Sequence, residues 1–317
     1  MFYVIYNPSA RSGKGARLWE KVKTILDEEG EDYRVYKTTP ERDASYIVKT
    51  LLMFRQDTEL KIMLLGGDGT LNEAIQSITE NDFKRIILYY LPTGSSNDLA
   101  KAIGYTDSYD EMVRGYVRRD TFRNMDLGIV RYNHAEKPGY LKRYFAVSCG
   151  IGYDASVCEE ANNSKIKKVL NKIGLGKLCY LAITVKQLIG TPRVQMTLKI
   201  DDNEEYMIDK AYFAAIMNHR YQGGGLAFCP DAVDDDGTLD ICHASDIPKA
   251  KVLSILPTLY KGEHVSKPGI KIDRLKKVSI KSSLPLWVHT DGEVRTKADD
   301  ITVEVLPGIL KFATYKD

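Results

Sequence analysis

The residues best suited to chemistry in this 317-residue chain lie in turns that follow short apolar runs. Gly66-Gly67-Asp68-Gly69-Thr70 comes after Ile62, Met63, Leu64 and Leu65 and before a helix-like stretch. Its amides can therefore point at an anion with the helix dipole behind them. Glycine permits the close approach and positive φ that such a loop needs. Asp68 stands between two of the glycines, where a carboxylate could hold a metal ion or order water beside a terminal phosphate. The competing expectation is a tight strand-to-helix turn with Thr70 as N-cap. Two companion loops shift the balance. Leu91-Pro92-Thr93-Gly94-Ser95-Ser96-Asn97-Asp98 also follows an apolar run and opens a helix, with Ser95, Ser96 and Asn97 as capping or phosphate-binding groups. Asn7-Pro8-Ser9-Ala10-Arg11-Ser12-Gly13-Lys14-Gly15 follows the first run and offers two cations beside flexible backbone. It is not a Walker loop, because Pro8 stands at the first glycine position and Lys14 is followed by Gly15. Three such loops at strand ends would converge on one crevice.

The elements that must position these loops follow from periodicity. Up to about residue 125, strands at 3–6, 33–37, 61–65 and 86–91 alternate with helices at 18–29, 44–54, 70–78 and 97–102, the rhythm of an α/β domain with a parallel sheet. Beyond it, runs rich in Val, Ile, Tyr and Thr predict strands at 126–132, 143–148, 193–200, 210–217, 238–243, 277–281 and 293–296. A mostly antiparallel β-sandwich domain follows, interrupted by helical insertions at 156–189 and 248–261. The expected division is 1–125 together with 304–317 for the nucleotide domain and 126–303 for the β-rich one. With no long linker, the two are expected to pack on each other with a cleft between them.

Composition narrows the function classes. Forty-five Lys and Arg against 43 Asp and Glu give a formal charge of +2, so no global field draws the chain to nucleic acid. The five cysteines contain no CxxC pair and read as buried thiols in a reducing cytoplasm. No apolar stretch approaches the roughly 20 residues of a membrane span. The five histidines form no HExxH or HxH pair, which leaves structural or surface roles, and without a GxSxG elbow a hydrolase is disfavoured. The segment 165–178 mixes lysines with apolar residues at helical spacing. Such a segment could touch an anionic bilayer, although a solvated helix with a core-facing stripe is the commoner origin of that pattern. Gly223-Gly224-Gly225 reads as a loop or a bulge.

The motifs resemble those of the diacylglycerol kinase catalytic-domain superfamily, in particular soluble bacterial lipid kinases related to sphingosine and ceramide kinases. The resemblance is carried by Asn7-Pro8 with its Ser/Gly/Lys tail, by Gly66-Gly67-Asp68-Gly69-Thr70-Leu71-Asn72-Glu73 and by Leu91 to Asp98. Downstream it continues through Met125-Asp126-Leu127-Gly128, Gly150-Ile151-Gly152-Tyr153-Asp154, Asp235-Asp236-Gly237 and Asp291-Gly292-Glu293. One departure is Arg42-Asp43-Ala44 after Thr38-Thr39, where the family often has a Gly before the Asp or His.

The resemblance implies transfer of the ATP γ-phosphate to the hydroxyl of a diacylglycerol-like lipid, giving a phosphatidic acid-like product. It places the nucleotide on Asn7, Pro8, Ser9, Ala10, Arg11, Lys14, Thr38, Thr39, Gly66, Gly67, Asp68, Gly69, Thr70, Asn72, Glu73, Thr93, Gly94, Ser95, Asn97 and Asp98. The general base falls on Glu293, with Asp68 orienting metal or substrate. From the residues alone, Asp291-Gly292 is a hairpin turn and Glu293 the first residue of the return strand. A structural Mg2+ site falls on the Asp236 carboxylate and the carbonyls of Val233 and Thr238, with Asp235 in the same acidic run and Asp126 linked through water. The resemblance also suggests a homodimer and brief visits to the inner membrane surface. Competing acceptors are a sphingoid base, a ceramide or another lipid alcohol. An NAD kinase, which shares a GGDGT loop, and a catalytically silent lipid- or nucleotide-binding regulator complete the alternatives.

Overall fold

The computed structural model describes residues 1–13, 15–55, 58–94, 96–105, 107–164 and 176–316, without the side chains of 11, 12 and 176–180. The expectations attached to Lys14, Ser95, the Cys179 side chain and the 165–175 part of the basic insert lie outside the described residues. The chain divides into two compact units, one of Met1–Leu127 with Leu306–Asp317, the other of Gly128–Val305.

In the first unit, β1 (Phe2–Tyr6), β2 (Tyr33–Lys37), β3 (Leu60–Gly66) and β4 (Ile86–Pro92) pair in parallel in the order β4-β3-β1-β2. The registers Tyr6↔Lys37, Tyr6↔Leu65 and Gly66↔Pro92 bring all four carboxyl ends to one edge. The near-continuous apolar sequences of β1, β3 and β4 reflect burial on both faces, whereas the edge strand β2 is largely exposed. The end of the last strand, β15 (Glu293–Thr314), adds in parallel beside β4, with Phe312 opposite Leu88. Between strands run α1 (Gly15–Glu28), α2 (Ala44–Phe54), α3 (Asp68–Gln76) and α4 (Asp98–Ala102). A further helix, α5 (Tyr109–Arg119), was not expected. It is fixed by a Ser108/Glu111 capping box and buries Met112, Val113 and Tyr116 against α1 residues Trp19, Val22 and Ile25 and strand residues Val4, Met63 and Tyr89.

The second unit contains the second half of β5 (Thr121–His134), then β6 (Lys137–Phe145), β7 (Ser148–Gly152), α6 (Tyr153–Asn163), α7 (Gly176–Gly190), β8 (Val194–Ile200) and β9 (Tyr206–Met217). After these come the hairpin of β10 (Tyr221–Gln222) and β11 (Leu226–Ala227), then β12 (Leu239–Ser245), α8 (Lys249–Ile255), β13 (Ile270–Leu275), β14 (Lys277–Thr290) and the first part of β15. Strands β13-β12-β9-β7-β14-β15 are antiparallel neighbours in that order. One apolar layer joins Val130, Phe145, Met196, Leu198, Ile241, Val278, Ile280 and Ile301; the other packs α6, α7 and α8 on Phe213, Ala215, Met217 and Cys242.

Several expectations are corrected here. The strand predicted at 143–148 is the end of β6 and the start of β7, with the chain bending at Ala146-Val147. Strands β14 and β15 run far beyond 277–281 and 293–296, and β13 was missed. The helix at 248–261 is α8 followed by a 3-10 stretch, Leu256–Lys261, with Pro257 near its start. Gly223, Gly224 and Gly225 form a hairpin turn, with φ of 63°, 91° and 108°. Cys149, Cys229 and Cys242 are buried thiols, whereas Cys158 is partly exposed.

Candidate functional site

The glycine loops meet at the carboxyl edge of the first sheet. Strand order places the switch point between β1 and β3, since the chain leaves β1 toward β2 on one side and returns to β3 on the other. Asn7 and Thr70 span this crevice: Asn7 Nδ2 donates to Thr70 Oγ1 at 3.3 Å, while Asn7 Oδ1 accepts from the Ser9 amide at 2.9 Å. Asn7 is also anchored by its own amide, which donates to the Leu65 carbonyl at 3.0 Å. The close approach explains Gly15, where a Cβ would overlap the Asn7 carbonyl. Pro8 and Ala10 are half-buried and Ser9 is exposed.

Thr70 is not the N-cap of α3. That position is Gly67, which has no side chain to give a cap bond, so Asp68, Gly69 and Thr70 make the first helical turn. Thr70 is buried, as is Asn72 beyond it. Glu73 Oε2 accepts from the Ala44 amide at 3.4 Å, tying α3 to the start of α2. Asp43, at the departure from the family pattern, is the α2 N-cap and accepts from the Tyr46 amide at 2.8 Å.

The GGDGT and PTGSSND loops are built as one object. Thr93 donates its amide to the Gly66 carbonyl at 2.8 Å. A Cβ on Gly94 would lie 2.6 Å from the Gly67 Cα, and one on Gly67 would lie 2.8 Å from the Gly94 Cα. Asp68 completes the joint: its Oδ2 accepts from the Asp98 amide at 2.9 Å and its Oδ1 from the Leu99 amide at 3.4 Å, so it caps α4 from thirty residues away. Buried Tyr90 reaches the same carboxylate at 3.4 Å, and burial, then the Asp68 charge, push its phenol well up. Asn97 sits at φ 50° and donates to the Gly94 carbonyl at 3.1 Å. Buried Asp98 lies 3.5 Å from the Lys101 ammonium.

Thr38 and Thr39 follow β2 on the same edge. The Thr38 amide donates to the Tyr6 carbonyl at 3.0 Å, and the Thr39 hydroxyl accepts from the Arg42 amide at 3.1 Å in a tight turn. Thr38 is buried and Thr39 exposed. The residues of four strand-end loops are therefore gathered at one edge.

The second unit carries Glu293. Asp291 and Gly292, at φ 50° and 86°, form the two-residue turn between β14 and β15, with Thr290 paired to Glu293. Glu293 opens the return strand half-buried. The turn is held far more tightly than a hairpin needs. The Asp291 carboxylate accepts from the amides of Ala146 at 3.0 Å, Val147 at 2.8 Å and Ser148 at 2.9 Å. These are the amides freed where β6 bends into β7. The Asp291 amide in turn donates to the Ser148 carbonyl at 2.8 Å. Arg143 donates to Thr290 Oγ1 at 2.9 Å. Its burial, and then Arg295, hold the guanidinium below its usual range, against the opposing pull of Asp291 and Glu293. Sequence reasoning missed Arg143 and the Asp291 clamp. Asp-Gly gave the turn, but nothing local in sequence signals its distant partners.

The acidic run offers oxygen donors only, the chemistry that suits Mg2+. Asp236 Oδ1 accepts from the Thr238 amide at 3.0 Å and hydroxyl at 2.6 Å, and its Oδ2 lies 3.5 Å from Arg274. A bound ion would share this carboxylate with the turn and compete with the guanidinium. Asp235 and Val233 are exposed. Asp240 also faces Arg274, and burial raises its carboxyl. In the first unit, buried Asp126 accepts from the Gly308 amide at 2.6 Å. Among the described residues, no three His, Cys, Asp or Glu side chains come together as a metal cluster.

Comparison with known proteins agrees with this geometry. Residues 1–130 match the model of the diacylglycerol kinase catalytic domain, and residues 147–314 match that of the YegS C-terminal NAD kinase beta sandwich-like domain. A Bacillus subtilis protein named as a candidate lipid kinase, YtlR, is 25% identical over 92% of this chain and 93% of its own. A Mycobacterium tuberculosis diacylglycerol kinase is 28% identical over 73% of this chain and 70% of its own. A crystal structure of a diacylglycerol kinase from Bacillus anthracis superposes with TM-score 0.70 at 22% identity, covering 98% of this chain and 96% of that one. The yeast NADH kinase complexed with NADH gives TM-score 0.52 at 12% identity, covering 98% and 82%.

Proposed function

We propose, on the premise that this chain belongs to the diacylglycerol kinase catalytic-domain superfamily, that it transfers the γ-phosphate of ATP to the hydroxyl of a diacylglycerol-like lipid. The product is a phosphatidic acid-like lipid, with ADP leaving. The observation that carries this reading is the gathering of four strand-end loops at one sheet edge, with GGDGTLNE and PTGSSND locked together through Gly67, Gly94 and Asp68. The amino end of α3, opened by Gly67 on this edge, suits phosphate oxygens. Asn7, Thr38, Thr39 and Thr93, which follow strands on the same edge, would line the nucleotide.

Positioning and electrostatics supply most of the acceleration in phosphoryl transfer. Asp68 fixes the relative placement of the two phosphate loops, and by the family resemblance it orients metal or substrate. Glu293, on the clamped turn of the second unit, accepts the proton of the lipid hydroxyl as its oxygen bonds to phosphorus. Mg2+ accompanying ATP would neutralise phosphate charge, and by the family resemblance a second, structural ion would be held by the Asp236 carboxylate and the carbonyls of Val233 and Thr238, beside Asp235. The lipid side is supported by an apolar cavity of about 50 Å3 lined by Tyr212, Phe213, Phe228, Ile255 and Leu259, with Asp154 in its wall. That is under two waters at ~30 Å3 each, so an acyl chain enters by widening it. Exposed Leu181 and Ile189, eight residues apart on α7, give one helix face for passing contact with a membrane. No described helix is long and apolar enough to cross one.

The test supplies labelled ATP and Mg2+ with diacylglycerol, sphingosine, ceramide or NAD in separate reactions. Labelled phosphatidic acid is expected. Labelling of sphingosine or ceramide alone would change the acceptor, labelling of NAD alone would overturn the lipid reading, and no labelling with retained lipid binding would favour a silent regulator.

A further inference from the structure

We propose that Asp154 and His289 form a positioning pair that holds the Asp291-Gly292-Glu293 turn for phosphoryl transfer, with His289 fixed as its Nε2–H tautomer. The inference rests on the reading of Glu293 as proton acceptor.

A two-residue hairpin turn closes through the pairing of its flanking residues and needs no partner for the amide of its second residue. Here that amide has one. The Gly292 N–H donates to His289 Nδ1 at 3.2 Å, and His289 Nε2 lies 3.2 Å from Asp154 Oδ2. Only one proton assignment satisfies both bonds: Nδ1 bare to accept from Gly292, and Nε2 protonated to donate to the carboxylate. His289 is 2% exposed and Asp154 7%, so water competes little with either bond.

A second grip starts from the same helix. Asn162, eight residues beyond Asp154 on α6, donates its Nδ2 to the Gly292 carbonyl at 2.9 Å. Both polar groups of Gly292 are thus tied to α6, one directly and one through the imidazole. The neighbouring sequence makes room for the pair, since a Cβ on Gly150 would overlap both Asp154 Oδ2 and His289 Nε2. Gly150 and Asp154 belong to one motif, Gly150-Ile151-Gly152-Tyr153-Asp154. Supporting bonds of this kind fix a reactive group within the tolerance that catalysis demands. Glu293 is the next residue along the chain, so a shift of the Gly292 peptide moves it directly.

Three substitutions separate positioning from mere support. His289→Asn keeps an acceptor oxygen near the Nδ1 position for Gly292. His289→Gln reaches toward Asp154 but leaves Gly292 unpaired, and His289→Ala removes both bonds. A displacement near 1 Å at a reacting group costs on the order of 100-fold. The Ala and Gln variants should lose turnover by about that factor, with KM for ATP and for lipid within about threefold, and the Asn variant should recover most of it. Wild-type turnover in the Ala variant would overturn the proposal, as would equal loss in Ala and Asn. A measurement that needs no activity stands beside these. In 15N-labelled wild-type protein, the His289 ring nitrogens should show the Nε2–H tautomer, and the Nδ1–H form would overturn the pair even if the variants fail to fold. Should wild type phosphorylate no lipid alcohol, the functional reading fails while the tautomer still decides whether the pair exists.

Discussion

Gly94→Ala tests whether the two glycine loops act as one cradle. The added methyl would stand 2.6 Å from the Gly67 Cα and 2.7 Å from Asn97 Oδ1. Carbon atoms rest comfortably at ~3.5–4.0 Å, so the loops must part by roughly 1 Å. The obstacle on the Gly67 side is backbone and cannot swing away. Strain from φ is not the issue, because Gly67 itself sits at an ordinary −92° and Gly94 is not among the positive-φ glycines. Overpacking of this kind costs about 1–3 kcal/mol of stability. A displacement near 1 Å of groups that hold the reacting phosphate costs on the order of 100-fold in rate. Gly67→Ala forces the same gap from the other side, so the double variant should lose much less than the sum of the two singles. The assay is kcat/KM for ATP at saturating lipid, with thermal unfolding measured in parallel. The expected result is a drop near 100-fold for each single variant with the folded state retained at assay temperature. Activity within about threefold of wild type, with crystallographically unmoved loops, would refute the reasoning.

Asp291→Ala should destabilise the second unit by roughly 3 kcal/mol or more, since three amides at the β6–β7 bend lose a charged acceptor; urea unfolding checks this, and a loss under 1 kcal/mol would contradict it. Burial lowers His243 from its ordinary value to about 4, so between pH ~6.5 and 4 the unfolded chain binds a proton that the folded chain refuses. Stability from this group is whole above pH ~6.5 and falls by about 3 kcal/mol as pH drops toward 4. His243→Phe should flatten that part of the stability profile, read by denaturant titration at pH 7 and pH 4.5.

Much of the first unit was legible because its signals are local. Apolar runs ending in turns rich in Gly, Pro, Ser or Asn located β1, β3 and β4, and the parallel pairing of strands brought their loops together. Helix α5 was legible too and was passed over, since Ser108 and Glu111 spell a capping box ahead of Met112, Val113 and Tyr116. The joint between loops was not. Asp68 reads in sequence as a free carboxylate for metal or water, yet it serves the amides of Asp98 and Leu99, a partnership that exists only once β3 and β4 lie side by side. The bend at Ala146-Val147 is hidden for the same reason, because Asp291 stabilises it from the far end of the unit. The competing expectation of Thr70 as a cap fails because Gly67, with no side chain to give a signal, starts the helix. His289 carries no motif of its own, and only folding brings it between Asp154 and Gly292.

The central claim is that Glu293 accepts the proton of a lipid hydroxyl while ATP rests on the glycine loops. Single-turnover transfer from labelled ATP to diacylglycerol, compared between wild type and Glu293→Gln, tests it most directly. The variant keeps the size of the side chain and removes its basicity. The account predicts transfer slower by at least about 100-fold, with ATP affinity and thermal stability unchanged. Transfer at the wild-type rate in Glu293→Gln would contradict it.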